Sequence, residues 1–170
     1  MLRRGFTIVE LIITITIMAI LMVLAVVNIT GSQLSARDDK RLGDVQAIAS
    51  NLESYYIGSS NTGTAGSYPG TTDVSDASNA VIKTVLPDID PKSILAPGVT
   101  GTTKSLISAT NNTQTTVGVA PQPTISQYVY QPLQSSGALC TAYAQGCRKF
   151  NIYYHTEADN AVHVVTSKNQ

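Results

Sequence analysis

The chain has no tryptophan, and Asp, Glu, Lys and Arg together make up only 13% of its 170 residues. Eleven acids balance eleven Lys and Arg, so the formal net charge is zero. That balance leaves no basic surplus to neutralise phosphates, which argues against binding nucleic acid over the whole surface. No proline occurs before Pro69, and Gly31 is the one weak point in an otherwise unbroken early helical pattern. No Lys, Arg or His lies between Arg4 and Arg37. Gly-x-Ser-x-Gly, P-loop and His-Glu-x-x-His patterns are all missing, so no catalytic role is expected. The two cysteines, Cys140 and Cys147, enclose TAYAQG. Their spacing does not fit a CxxC redox or zinc site, and no further ligands accompany them.

What the chain does have is one long apolar run. Leu11 to Val27 contains no charge, glycine or proline, and the stretch from Phe6 to Ile29 is 24 residues. A helix needs about 20 residues to cross a bilayer core. Arg3 and Arg4 would stay on the cytoplasmic side, placing residues 30–170 outside. A secretory signal peptide would have a shorter apolar region, about 7–15 residues, closed by a small-residue cleavage site that is not seen here. Inside the run sits one carboxylate, Glu10. An acid in the apolar slab costs on the order of 2.5–3.5 kcal/mol, less near the interface. With no cation on the same helix, its counter-charge must come from another molecule or be created by processing.

The segment RRG followed by FTIVELIITITIMAIL resembles the type IV pilin and type II secretion pseudopilin family. It has a short basic leader, Gly5 before the cut, Phe6 after it, and Glu10 as the fifth residue of the trimmed chain. The resemblance implies cleavage between Gly5 and Phe6 by a membrane prepilin peptidase and N-methylation of Phe6. Cleavage creates an α-ammonium on Phe6, which Glu10 of a neighbouring subunit can neutralise, so Phe6 and Glu10 act together in assembly. Further implied partners are copies of the chain and related pilins, an inner-membrane assembly platform, and lipid before assembly. The implied location is the cytoplasmic membrane, single-pass with the C-terminal domain outside, and then an extracellular pilus or periplasmic pseudopilus. The sequence departs from many family members in having no proline in the second half of the apolar helix.

The reading divides the chain into five parts. Residues 1–5 form a leader, 6–29 a transmembrane and polymerisation helix, and 30–57 its amphipathic extension. Residues 58–127 form a loop region with a short helix, and 128–170 an antiparallel sheet with the cysteine loop. In the extension, Leu34, Leu42, Val45, Ile48, Ala49, Leu52, Tyr55 and Tyr56 mostly recur at three and four, making a stripe that a sheet can cover. The cluster RDDKR (37–41) reads as a solvated collar, with charge pairing between subunits as its alternative. Lys40 and Asp44 are spaced as an i, i+4 pair. Ser75 or Asp76 would cap a short helix ending at Leu86, before Pro87.

KSLISA is a weak strand candidate. SQYVYQPL, RKFNIYYHT and AVHVVTS alternate as strands, with Phe150, Ile152 and Tyr154 on one face and Asn151, Tyr153 and His155 on the other. EADN (157–160) suits a hairpin turn. The fold class is therefore α+β, with a long N-terminal helix packed on a C-terminal sheet, which is also what the family resemblance implies.

Outside the membrane Cys140 and Cys147 should oxidise to a disulfide. Oxygen-rich loops offer calcium candidates in Glu157, Asp159 and Asn160, with Asp73, Asp76, Asp88 and Asp90 elsewhere, but no EF-hand spacing exists and turn formation explains them more simply. No cofactor is otherwise expected. His155 and His163 lie on neighbouring strands and could face each other. A pilus subunit serving adhesion, motility or DNA uptake is the favoured reading. The rivals are a secretion pseudopilin and, from another class, a monomeric membrane-anchored binding module.

Overall fold

A computed structural model describes residues 5–58, 66–75, 85–99 and 105–169. One continuous helix, α1 (Ile8–Gly58), runs for 51 residues, about 76 Å at 1.5 Å per residue. Helix α2 (Thr71–Ser75) is a single short turn. Four strands follow: β1 (Leu106–Ser108), β2 (Tyr128–Gln134), β3 (Cys147–His155) and β4 (Val162–Thr166). They form one sheet in the order β1-β2-β3-β4. The short helix expected from Asp76 lies outside the described residues.

The outer half of α1 is held by the sheet. Val45, Ile48 and Leu52 are buried, and Tyr56 packs beside them half-buried. Phe150, Ile152 and Tyr154 of β3 meet this stripe, together with Tyr128 and Tyr130 of β2. Alternation along β3 therefore presents the expected face to the helix. Each large apolar side chain buried this way contributes about 1.5–3 kcal/mol.

The sheet differs from the expectation in two respects. It is mixed, because β1 pairs parallel with β2 while β2–β3 and β3–β4 are antiparallel. Parallel neighbours need a long connection, and residues 109–127 supply it. That connection also forms a further layer. Ala109 and Val119 pack with Val129 and Tyr153 on the side of the sheet away from α1. Gln131 of β2 is fully buried there, its Nε2 donating to the carbonyls of Asn111 at 2.9 Å and Thr113 at 3.1 Å. Pro132 sits in β2 without breaking the sheet, because the β1 pairing ends at Tyr130 and the segment at Leu139–Cys140 takes that edge, asking of Pro132 only its carbonyl, which accepts from Cys140 N–H at 2.9 Å.

Cys140 and Cys147 form a disulfide with an S–S distance of 1.98 Å and Cα atoms 5.6 Å apart. Their loop anchors the segment that follows α1. Tyr68 N–H donates to the Cys147 carbonyl at 2.8 Å, and Thr71 N–H to the Cys140 carbonyl at 3.0 Å. Gly70 is required at this crossing, since a Cβ there would lie 2.4 Å from backbone atoms of Thr141 and Ala142. Asp73, one of the acidic loop residues, accepts from Gly70 N–H at 2.7 Å and Tyr143 N–H at 3.3 Å.

Candidate functional site

The start of α1 is a capping box. Thr7 precedes the first helical residue, and its hydroxyl accepts from Glu10 N–H at 3.3 Å. The Glu10 carboxylate reaches back, and Oε2 accepts from Thr7 N–H at 2.9 Å and from the Thr7 hydroxyl at 2.7 Å. Two amide donors left over by the helix start are thereby satisfied reciprocally. The pattern Ser/Thr-x-x-Glu was present in the sequence as Thr7 and Glu10, and it supplies partners that counter-charge reasoning passes over. Glu10 thus has hydrogen-bond donors at its own helix start but no Lys, Arg or His on the helix before Arg37. Phe6, just before the cap, is 84% exposed. A Cβ built on Gly5 would meet nothing within 4 Å.

Beyond the cap, Ile8–Ala25 is long and apolar enough to cross a membrane, with a mean hydropathy of 2.7 and none of its residues buried. Two threonines interrupt the apolar composition without opening the backbone. Thr14 donates to the Leu11 carbonyl at 2.8 Å, and Thr16 to those of Ile12 at 3.0 Å and Ile13 at 2.9 Å. Their polarity is spent on their own helix. The apolar side chains of this stretch therefore remain available to lipid or to another helix.

The charged cluster at 37–41 is not a solvated collar, which corrects the expectation. Arg41 is 1% exposed and is the largest fully buried side chain outside the aromatic core. It pairs with Asp38 at 2.7 Å and with Glu157 in the β3–β4 turn, while its Nε donates to the Ile125 carbonyl at 3.0 Å. Arg37 joins through Nε at 2.9 Å and Nη2 at 2.6 Å, one to each oxygen of Glu157. Asp38 accepts from the backbone N–H groups of Glu157 and Ala158 at 2.8–3.0 Å. The two guanidiniums hold the Glu157 carboxyl down at about 2. One turn further along, Asp44 is buried, pairs with Lys40 and accepts from the Tyr128 hydroxyl at 3.1 Å. Burial raises its pKa above the ordinary carboxylate value against the opposing pull of Lys40 and Tyr128. The cluster thus welds the helix to the far hairpin, because a buried arginine is tolerated only when its donors are matched by acceptors.

The remaining candidates separate. Glu157 is taken up by Arg37 and Arg41. Asp159 accepts from the Thr156 hydroxyl, from Ala161 N–H at 3.1 Å and from His163 Nε2 at 2.9 Å. Asn160 has φ +52° and shapes the hairpin turn. Among the described residues no group of three or more His, Cys, Asp or Glu side chains is placed to hold a metal ion. His155 and His163 do not meet. His163 pairs across the strands with Tyr154 and stacks on it at 5.4 Å, which puts the two histidines on opposite faces.

Residues 1–26 match the family described as the prokaryotic N-terminal methylation motif. No curated protein and no solved structure matches the chain. A basic leader, a glycine, a phenylalanine, a capped glutamate and an unpartnered apolar helix are together accounted for by that match: the chain carries the N-terminal methylation motif, the class III signal peptide of type IV pilins and pseudopilins.

Proposed function

We propose that the chain is a structural, non-catalytic subunit of a type IV pilus-like filament. A prepilin peptidase cuts between Gly5 and Phe6, Phe6 is N-methylated, and the trimmed chain waits in the cytoplasmic membrane. An inner-membrane assembly platform then moves it into a helical fibre outside, where it serves adhesion, motility or DNA uptake. In the fibre the apolar helices bundle, and the Phe6 α-ammonium of one subunit meets Glu10 of the next.

The observation that carries this reading is the unburied stretch Ile8–Ala25. None of its residues is buried by the described residues, and lipid and a neighbouring helix can each cover it. Moving from lipid to a helix bundle gains packing rather than hydrophobic burial, so a specific contact must set the register. Glu10 is suited to that task. Thr7 satisfies part of its hydrogen bonding, yet no cation on the helix cancels its charge. A neighbour's ammonium would complete both groups together, and an unpaired buried charge would penalise any other register. Gly5 is consistent with processing, since the chain's own packing does not require a glycine there. The Thr- and Ser-rich loops and the disulfide loop favour a pilus over a secretion pseudopilus, because they give the outer domain a hydrogen-bonding surface.

Replacing Glu10→Ala tests the pairing. Membrane insertion should be intact or improved, while the yield of sheared fibre falls. Unchanged fibre yield would remove the pairing mechanism.

A further inference from the structure

The sheet face away from α1 carries a depression of about 230 Å³ that the filament reading does not use. Gln114 of the covering loop borders it, with Lys149, Asn151 and Tyr153 of β3 and Val164 and Thr166 of β4. Asn151 pairs with Thr166, and Tyr153 with Val164, so these side chains share one face.

The polar groups around it are unevenly spent. Gln131 Nε2 is fixed by two backbone carbonyls, so its Oε1 must be the acceptor for Asn151 Nδ2 at 3.0 Å and the Tyr153 hydroxyl at 3.1 Å. Asn151 Nδ2 also donates to the Tyr153 hydroxyl at 3.3 Å. This chain of bonds fixes the Asn151 amide and leaves its Oδ1 as an acceptor with no donor among the described residues. Asn151 is 8% exposed. His155 Nδ1 is the one fully enclosed side-chain atom lacking a partner there, so Asn151 Oδ1 must reach the surface. Lys149 has no acid within ion-pair distance among the described residues, and no acid lines the depression. The Gln114 amide and Thr166 hydroxyl are likewise unspent. Val164 adds apolar area, while Tyr153 is fully buried beneath and holds the polar chain in place.

We propose that this depression binds a single carboxylated sugar ring of the uronic acid class, Lys149 taking the carboxylate and Asn151 Oδ1 accepting from a ring hydroxyl. The chemistry narrows the ligand stepwise. A cation would be repelled by Lys149 with no acid to receive it. A simple carboxylate would leave Asn151 Oδ1 without a donor. A neutral sugar would leave the ammonium unused. A ring bearing hydroxyls and a carboxylate satisfies all of these groups, and its C–H face lies against Val164, which is 40% exposed. Pockets for drug-sized ligands run to about 300–1,000 Å³, so this smaller one suits one ring.

The test uses the full chain in detergent micelles and follows backbone amide resonances by NMR. D-glucuronate, D-glucose and acetate are each titrated to about 10 mM, a range that captures millimolar affinity. D-glucuronate should shift residues 149, 151, 153, 164 and 166 saturably, with D-glucose and acetate weaker by about tenfold or more. Lys149→Gln should reduce D-glucuronate binding by about tenfold and leave the spectrum elsewhere unchanged. No shift at these residues, equal responses to D-glucuronate and D-glucose or acetate, or indifference to Lys149→Gln would overturn the proposal. Its failure would leave the filament reading untouched, since the depression lies on the folded domain.

Discussion

The two halves of α1 carry charge in opposite ways. In the outer half, Arg41 and Asp44 are buried and each has an opposite charge on the same chain, as do Arg37, Asp38 and Lys40. In the inner half, Glu10 stands alone among apolar side chains and receives only the neutral donors of Thr7. The same contrast holds for apolar surface. Val45, Ile48 and Leu52 are covered by the sheet, whereas nothing within Ile8–Ala25 is. One half of the helix completes a domain and the other is incomplete by itself. The difference locates where stability should respond to mutation and where only assembly should.

The largest effect on stability belongs to the outer half. Arg41→Ala leaves Asp38 without its cation and Glu157 with Arg37 alone; loss of one partner from a buried pair costs about 3–5 kcal/mol, with the lower end expected here because Arg37 still holds Glu157, which keeps 17% of its side-chain exposure. Urea unfolding of the detergent-solubilised chain measures it. A loss below about 1 kcal/mol would return the cluster to the solvated-collar class. Next comes the disulfide. Replacing Cys140 and Cys147 by serine should cost about 2–3 kcal/mol in the chain-entropy model and loosen segment 66–75, which hydrogen exchange can localise.

Smaller still is Thr7→Ala, which removes the cap but keeps the Glu10 charge. About 1 kcal/mol of helix-start stability should go, seen as faster amide exchange at the first turn, while fibres still form. If Thr7→Ala abolishes fibres as fully as Glu10→Ala, capping rather than charge pairing sets assembly.

A pH dependence follows from the same network. Glu157 titrates near 2 in the folded chain and near the ordinary value of about 4.3 when unfolded. A carboxylate depressed on folding stabilises fully above its unfolded value, so this contribution is present at neutral pH. It is lost as the pH falls from about 4.3 through about 2. Asp44 works in the opposite direction, since burial raises its pKa and proton uptake there favours the folded form. Acid unfolding should therefore steepen below about pH 4, and Glu157→Gln should flatten it.

Much of this architecture was legible because its signals are local. The apolar stripe from Val45 to Tyr56, the alternation in RKFNIYYHT and the EADN turn each lie within a dozen residues, and the structure follows them, whereas Leu42, expected in the same stripe, is exposed. The pairing of Cys140 and Cys147 needed only two cysteines. The cluster at 37–41 was not legible, because its acceptor, Glu157, is 120 residues away from Arg37 and no periodicity links them. A run of five charges looks the same whether it faces water or a distant turn. The layer formed by residues 109–119 was equally silent, being held by backbone carbonyls around Gln131 rather than by a patterned stripe. Thr7 was legible in principle, since a capping box is a four-residue pattern. An acid in an apolar run directs attention to cations and away from a neutral neighbour.

The central claim is that the inner half of α1 is completed by another copy after trimming. N-terminal mass spectrometry of filaments sheared from the cell surface tests it most directly. The account predicts a chain beginning at N-methylated Phe6. A chain beginning at Met1 and confined to the membrane fraction would contradict it.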